Sequence, residues 1–268
     1  MVYIQDIRFY LIKYIMNNLF WSMSTNFGDA LSPLMYKFFS GEDAIYTPTQ
    51  NSPKYLSIGS ILNHAQPGDT VWGSGLAWLN DSVSAGLNIT ATRGRITKSI
   101  CEKAGNSCPD VFGDPAMLLP LMFEPEKITK YKLGIIPHIV DYDKIIIPEK
   151  YNNDCIKIDL NLPPEEVVSL VTSCDNIVSS SLHGLIVADA YNIPNAWCKF
   201  SDRVLGDDTK FYDHFTAVRR CYMSPLLLKG DTNFTFDQMI EIVSKCDQSK
   251  FTSADRQLLL NSCPFNSK

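Results

Sequence analysis

The stretch Asn176-Ile-Val-Ser-Ser-Ser-Leu-His-Gly-Leu-Ile-Val-Ala-Asp-Ala-Tyr191 decides how the rest of the chain is read. An apolar run too short for a helix, Asn176 to Ser179, passes through Ser180, Ser181 and His183 into an apolar segment of helical length, Leu182 to Tyr191. A buried strand feeding a helix through a polar turn is the repeating unit of a parallel sheet. At such a turn the first N–H groups of the helix have no acceptor and the helix dipole favours negative charge. The serine hydroxyls add donors, so the turn reads as a phosphate or carboxylate seat with a titratable group beside it. A plainer reading stays open: Ser180 or Ser181 caps the helix, and His183 packs against Gly184.

The same grammar continues in both directions. Downstream, Ala196 to Phe200 reads as a strand, with a further helix from Asp208. Upstream, Leu133 to Ile136, Lys144 to Ile147 and Cys155 to Ile158 read as strands. Pro163 to Cys174 reads as a helix with proline near its start and Glu165 and Glu166 in its first turn. Pro120 to Lys130 has two prolines, alternating charges and no apolar run, so it is expected to connect two halves. Before it, Tyr55 to Ile58, Thr70 to Trp72 and Asn88 to Ala91 read as strands. Leu31 to Phe39 reads as a helix opened by Asp29 or Ser32, and Thr97 to Ala104 as a helix stopped by Gly105. The expected fold is therefore α/β, with two Rossmann-like parallel-sheet halves, residues 1–125 and 126–268, facing each other across a cleft.

Composition agrees with a folded protein of this size. Of the 268 residues 45% are hydrophobic and 20% charged, which excludes a disordered or collagen-like chain. A net charge of -5 argues against a surface devoted to nucleic acid. The eight cysteines form no C-x-x-C pair in a chain too large to need disulfides, so reduced cytosolic thiols are expected and no metal site is. Met1 to Met16 is amphipathic, but Asp6, Arg8 and Lys13 break the apolar run well short of the roughly twenty residues a spanning helix needs. It reads as an ordinary first helix, with a peripheral contact at a membrane surface as the sharper reading, and not as a signal peptide.

Five further segments bear on the chemistry. Arg93 and Arg95 lie between a strand and a helix, where guanidinium groups can grip a carboxylate or phosphate and Gly94 lets the backbone come close. Alone, that segment reads as a solvated basic turn. Asn26-Phe-Gly-Asp29 and Trp72-Gly-Ser-Gly75 are strand-to-helix junctions without the third glycine of a dinucleotide fingerprint. Asp29 either caps its helix or serves as a general base for an acceptor hydroxyl. Asp114 in Gly113-Asp-Pro115 reads as a structural turn, and His138 is placed at a strand end to line the cleft.

Taken in order, Asn26-Phe-Gly-Asp29, Trp72-Gly-Ser-Gly75, Thr92-Arg-Gly94 with Thr97, Phe112-Gly-Asp-Pro-Ala116, Ile136-Pro-His138, Ser180-Ser-Leu-His-Gly184 and Lys210-Phe-Tyr-Asp213 make the chain resemble the polysaccharide pyruvyltransferase family. The resemblance covers about Phe20 to Val218 and implies a fold similar to the GT-B glycosyltransferases. It implies transfer of the enolpyruvyl unit of phosphoenolpyruvate to hydroxyls of a cell-surface or capsular saccharide, or its lipid-linked precursor. The product would be a pyruvate ketal, with phosphate released and no cofactor or metal required. The first half then takes the acceptor and the second half the phosphoenolpyruvate, in a cytoplasmic enzyme or one at the inner face of the membrane.

Carried over, the donor site is Arg93 with the turn at Ser181, Leu182 and His183. Where some relatives carry an arginine this chain has Ser181, so a phosphate contact falls to Arg95, Lys210 or Arg203. His183 is expected to be the acid and Asp29 the base, with Ser180, His138, Lys210, Asn26, Ser74 and Gly75 binding substrate. Two other readings are a GT-B glycosyltransferase using a nucleotide sugar and a non-catalytic saccharide-binding or scaffold protein.

Overall fold

The computed structural model describes residues 17–24, 26–126, 128–221, 224–228 and 236–265; the expected first helix at Met1 to Met16 lies outside them. The first half contains β1 (Asn18–Phe20), α1 (Phe27–Ser40), β2 (Ile45–Tyr46), β3 (Tyr55–Leu56), β4 (Thr70–Trp72), β5 (Asn88–Ala91) and α2 (Arg95–Lys103). Its strands form a five-stranded parallel sheet in the order β2-β1-β3-β4-β5. After the 3-10 turns of Pro115–Leu121 come β6 (Leu133–Ile136), β7 (Cys155–Lys157), α3 (Pro164–Thr172), β8 (Ile177–Ser179) and α4 (Leu182–Ala190). Next are β9 (Asn195–Lys199), α5 (Thr209–Ala217), β10 (Leu226–Leu227), α6 (Phe236–Lys245) and α7 (Ser253–Asn261). The second sheet is also parallel and five-stranded, in the order β10-β9-β8-β6-β7. The α/β class and the two parallel halves are those expected from the sequence.

Strand order reverses between β1 and β3 in one sheet and between β6 and β8 in the other. Helices on either side of such a reversal diverge, which leaves a crevice beyond the carboxyl ends of the strands. In the second sheet Ile136 pairs with Ser179, so Pro137-His138 and Ser180-Ser181 leave the sheet side by side. One continuous apolar core joins the halves, running from Leu19, Phe27 and Trp72 to Ile136, Leu185 and Trp197. The last helix follows the second half in sequence but packs on the first: Trp72 Nε1 donates to Leu259 O at 3.1 Å, and Phe265 lies against Tyr36, Tyr55 and Trp72.

Two expectations are corrected. Helix α1 starts at Phe27 rather than Leu31, and its cap is Asn26, whose side chain accepts from Gly28 N at 3.2 Å. Pro33 suggests a later start, but a proline in the second turn only forfeits one intrahelical donor and the helix runs through it. Lys144 to Ile147 is not a strand. β6 pairs directly with β7, Ile146 stays 81% exposed, and the carbonyl of Ile145 accepts from Lys157 Nζ instead of from a sheet neighbour. An apolar run can fill a crossover when only one of its residues, here Ile145, needs burial.

Candidate active site

Ser179, the last residue of β8, builds the turn that the sequence singled out. Its hydroxyl donates toward the carbonyls of Ile136 and Ser181, each at 2.9 Å, and accepts from Ser181 N at 3.0 Å. Ser180 is also committed, since its Oγ accepts from His138 N at 2.8 Å. Ser181 is the N-cap residue of α4, but its side chain makes no capping bond, so the helix presents its first N–H groups uncapped. Leu182 is buried as the first helical residue, and Gly184 allows close packing, because a Cβ there would lie 2.3 Å from Ser179 Oγ. A capping reading for Ser180 or Ser181 is therefore not what the turn shows.

His183 projects from this turn against the first half. Its ring rests on Gly28 in the first turn of α1, where a Cβ would come within 2.1 Å of two ring atoms. Asp29, one residue on, accepts a short hydrogen bond from Ser24 and is free of capping duty because Asn26 has taken it. On another side stands Asp114, fully buried, whose Oδ1 caps the turns of Pro115–Leu121 by accepting from Ala116 N at 3.0 Å. Its Oδ2 has no hydrogen-bond partner and lies 3.8 Å from His183 Nε2, which is also buried and unpartnered. From the sequence Asp114 reads chiefly as a structural turn. Its second oxygen gave no local signal, because the histidine it faces is 69 positions away.

Arg93 is neither solvated nor free. It is 0% exposed, and Nε donates to Asp213 Oδ2 at 3.0 Å, Nη1 to Ser60 Oγ at 2.7 Å and Nη2 to Leu76 O at 2.6 Å. Asp213 also accepts from Thr97 N and Thr97 Oγ1, so the ion pair ties α5 of the second half to the Arg93 turn. Gly75 seats the guanidinium, since a Cβ there would lie 2.3 Å from its central carbon, and Gly94 lets the Asp213 carbonyl approach. Ser74 is spent on Gly59 O at 3.0 Å. Asn26, Ser74 and Gly75 thus engage the protein itself.

Lys210 is nearly buried and donates to Leu205 O at 2.7 Å. Burial, with the Arg93 charge nearby, pulls its ammonium down to about 8. Burial likewise pulls His138 down to about 4, helped by Lys210 and opposed by Asp141. His183 is lowered by burial first; the Asp114 and Asp29 carboxylates push it up, and Arg93 and Lys210 push it down. These charges share one neighbourhood at the carboxyl ends of both sheets. Arg95 does not join it: its guanidinium lies 4.4 Å over the Phe112 ring, in a groove with Asp110, Arg219 and Asp255. Arg203 is bound to Asp141 at 2.7 Å. Among the described residues no group of three His, Cys, Asp or Glu is placed to hold a metal ion, and no helix is long and apolar enough to cross a membrane.

Two parallel sheets bring an open helix N-terminus, a lysine and a histidine between two carboxylates to one edge of an α/β protein, an arrangement with donors for an anion and titratable groups beside them. The sequence matches the polysaccharide pyruvyl transferase family over residues 68–201, and the chain belongs to that family. The uncharacterized protein L143 of Acanthamoeba polyphaga mimivirus is 29% identical over 175 residues. That match takes in 62% of this chain and 60% of the viral protein, so the chain spans less than two thirds of that protein's length. A solved structure of the wall teichoic acid polymerase TagF superposes over 92% of this chain and 88% of its own, at 9% identity and a TM-score of 0.41.

Proposed function

We propose that the protein transfers the enolpyruvyl unit of phosphoenolpyruvate to two hydroxyls of a saccharide, forming a pyruvate ketal and releasing phosphate. The observation that carries this reading is the uncapped N-terminus of α4 at the β6/β8 reversal, with His183 on its first turn and Lys210 close by. Uncapped N–H groups, the Ser181 hydroxyl and an ammonium suit a small, densely charged anion. Arg93 contributes as fixed positive charge, because its bonds to Asp213, Ser60 and Leu76 hold it in place.

His183 protonates the methylene carbon of the donor. In the free protein burial disfavours its charged form, but an arriving multivalent anion favours the imidazolium and so loads the proton when donor is present. The carbon bearing the phosphate then carries positive character, and an acceptor oxygen attacks it while Asp29 takes that hydroxyl's proton. A second acceptor oxygen displaces phosphate. Net, one hydroxyl proton ends on the new methyl group and the other on the departing phosphate. A saccharide fits the acceptor role, with lipid linkage and contact with the inner face of a membrane as further parts of the proposal.

The test is incubation with phosphoenolpyruvate and a panel of galactose, glucose and N-acetylmannosamine glycosides, followed by mass spectrometry for added pyruvate and by phosphate release. Thermal protection by phosphoenolpyruvate but not by nucleotide sugars is expected. Protection by a nucleotide sugar alone favours the glycosyltransferase reading and overturns this one.

A further inference from the structure

We propose that Asp114 is the positioning residue for His183: its Oδ2 accepts the Nε2 proton across the junction of the two halves and leaves Nδ1, which lies beside Gly28 of α1, as the nitrogen that gives up a proton. This deepens the pyruvyl-transfer reading and rests on it for the identity of the substrate, but not for the pairing.

Three observations converge. First, Asp114 Oδ2 and His183 Nε2 are buried atoms without hydrogen-bond partners, although leaving a buried polar atom unpaired costs about 1–3 kcal/mol. Two such atoms facing one another at 3.8 Å are each other's nearest remedy, and a shift of about one ångström brings them to hydrogen-bond length. Second, Asp114 divides its oxygens. Oδ1 is fixed as the cap on Ala116 N at 3.0 Å, which locks the carboxylate plane and holds Oδ2 toward the histidine. Third, the ring cannot retreat, because Gly28 lies against it closely enough that any Cβ would overlap it, and Phe27 packs edge-on at 6.5 Å between centroids. Pairing at Nε2 sets the tautomer, since a carboxylate accepts and cannot donate. With Nε2–H held, the imidazolium gives up the Nδ1 proton to the methylene carbon and returns to neutral without losing its place.

The charged and titratable groups around His183 are Asp114 before the turns of Pro115–Leu121, Asp29 on α1, Arg93 after β5, Lys210 on α5 and His138 after β6. Among the described residues, only the Asp114 carboxylate approaches a ring nitrogen of His183 in a geometry close to a hydrogen bond. The pairing also explains an aspartate in a turn where asparagine or serine caps as well.

The experiment reads the ring directly, by nitrogen NMR of histidine-labelled full-length protein, with His183 assigned among the four histidines through His183→Gln. The wild type is expected to hold the Nε2–H tautomer at neutral pH. Asp114→Asn keeps a capping oxygen but turns an amide donor toward Nε2, so the tautomer should flip to Nδ1–H. The His183 midpoint should fall by about one pH unit. Asp114→Ser, which caps with a single oxygen, should lower the midpoint equally if the asparagine variant folds poorly. An Nδ1–H tautomer in the wild type, or a midpoint unmoved in both variants but moved by Asp29→Asn, overturns the proposal. Once a substrate pair is in hand, Asp114→Asn should lower kcat by about 10²- to 10⁴-fold with KM nearly unchanged. Tautomer coupling in a protein that transfers no pyruvyl group upholds the pair and refutes the reaction; transfer with an uncoupled ring does the reverse.

Discussion

Two histidines of the second half face aspartates, and only one of these carboxylates has both oxygens engaged. His214 Nε2 lies 2.8 Å from Asp189 Oδ2, Asn195 donates to Asp189 Oδ1 at 2.7 Å, and Arg220 donates to Asn195 Oδ1 at 2.6 Å, all in the interior behind β9. That carboxylate has both oxygens filled. His183 and Asp114 are separated by 3.8 Å, and the facing atoms have no partners. His214 Nδ1 is buried without a partner, so the contrast lies in the carboxylates: one with both oxygens bonded fixes structure, whereas one with an open oxygen keeps capacity for a proton at some cost in stability. The same residue types therefore serve the fold in one place and are available for chemistry in the other.

This contrast can be broken most directly by deleting each histidine or its partner. His183→Ala should reduce turnover by about 10²- to 10⁴-fold in a phosphate-release assay, while its thermal midpoint stays close to wild type because no filled hydrogen bond is lost. Asp189→Ala should show the opposite pattern. It leaves His214 and the Arg220 charge buried without their carboxylate, and urea denaturation should register a loss of about 3–5 kcal/mol. Arg93→Ala belongs with the second pattern, since it strands the fully buried Asp213.

A subtler intervention moves the open pair without touching it. Gly28→Ala places a methyl group where the His183 ring lies, and the displaced ring should cost about 10²-fold in kcat/KM with α1 intact by circular dichroism. The smallest effect concerns Lys210, whose charge is present below about pH 8 and lost above it. Affinity for phosphoenolpyruvate, followed by calorimetry, should weaken severalfold as pH rises through 8, and Lys210→Met should abolish that pH dependence. An unchanged profile in Lys210→Met would falsify the placement of its ammonium beside the donor.

Much of the fold was legible because βα units write themselves locally. Thr70–Trp72, Asn88–Ala91 and Leu133–Ile136 are the strands expected from buried apolar runs, and α4 begins at Leu182 where the serine turn ends. Strands β1, β2 and β10, each of two or three residues, have too little sequence to carry a period, and Lys144–Ile147 looks like a strand because exposure cannot be read from a four-residue run. At the site, residue type and order singled out His183, Arg93, Lys210 and Asp29. What each side chain touches was not legible: Arg93 is absorbed by an aspartate 120 positions away, and Arg95 turns to Phe112.

Strand, turn and helix in this chain are fixed by patterns within a few residues, since backbone hydrogen bonding and apolar periodicity act over that range, and so the sequence alone determined the α/β class and the polar turns at the strand ends. Which carboxylate meets which cation or imidazole depends on how two sheets pack, because electrostatics and hydrogen bonds act through space and across distant positions. Only the tertiary structure decided that Asp213 anchors Arg93 and that Asp114 faces His183.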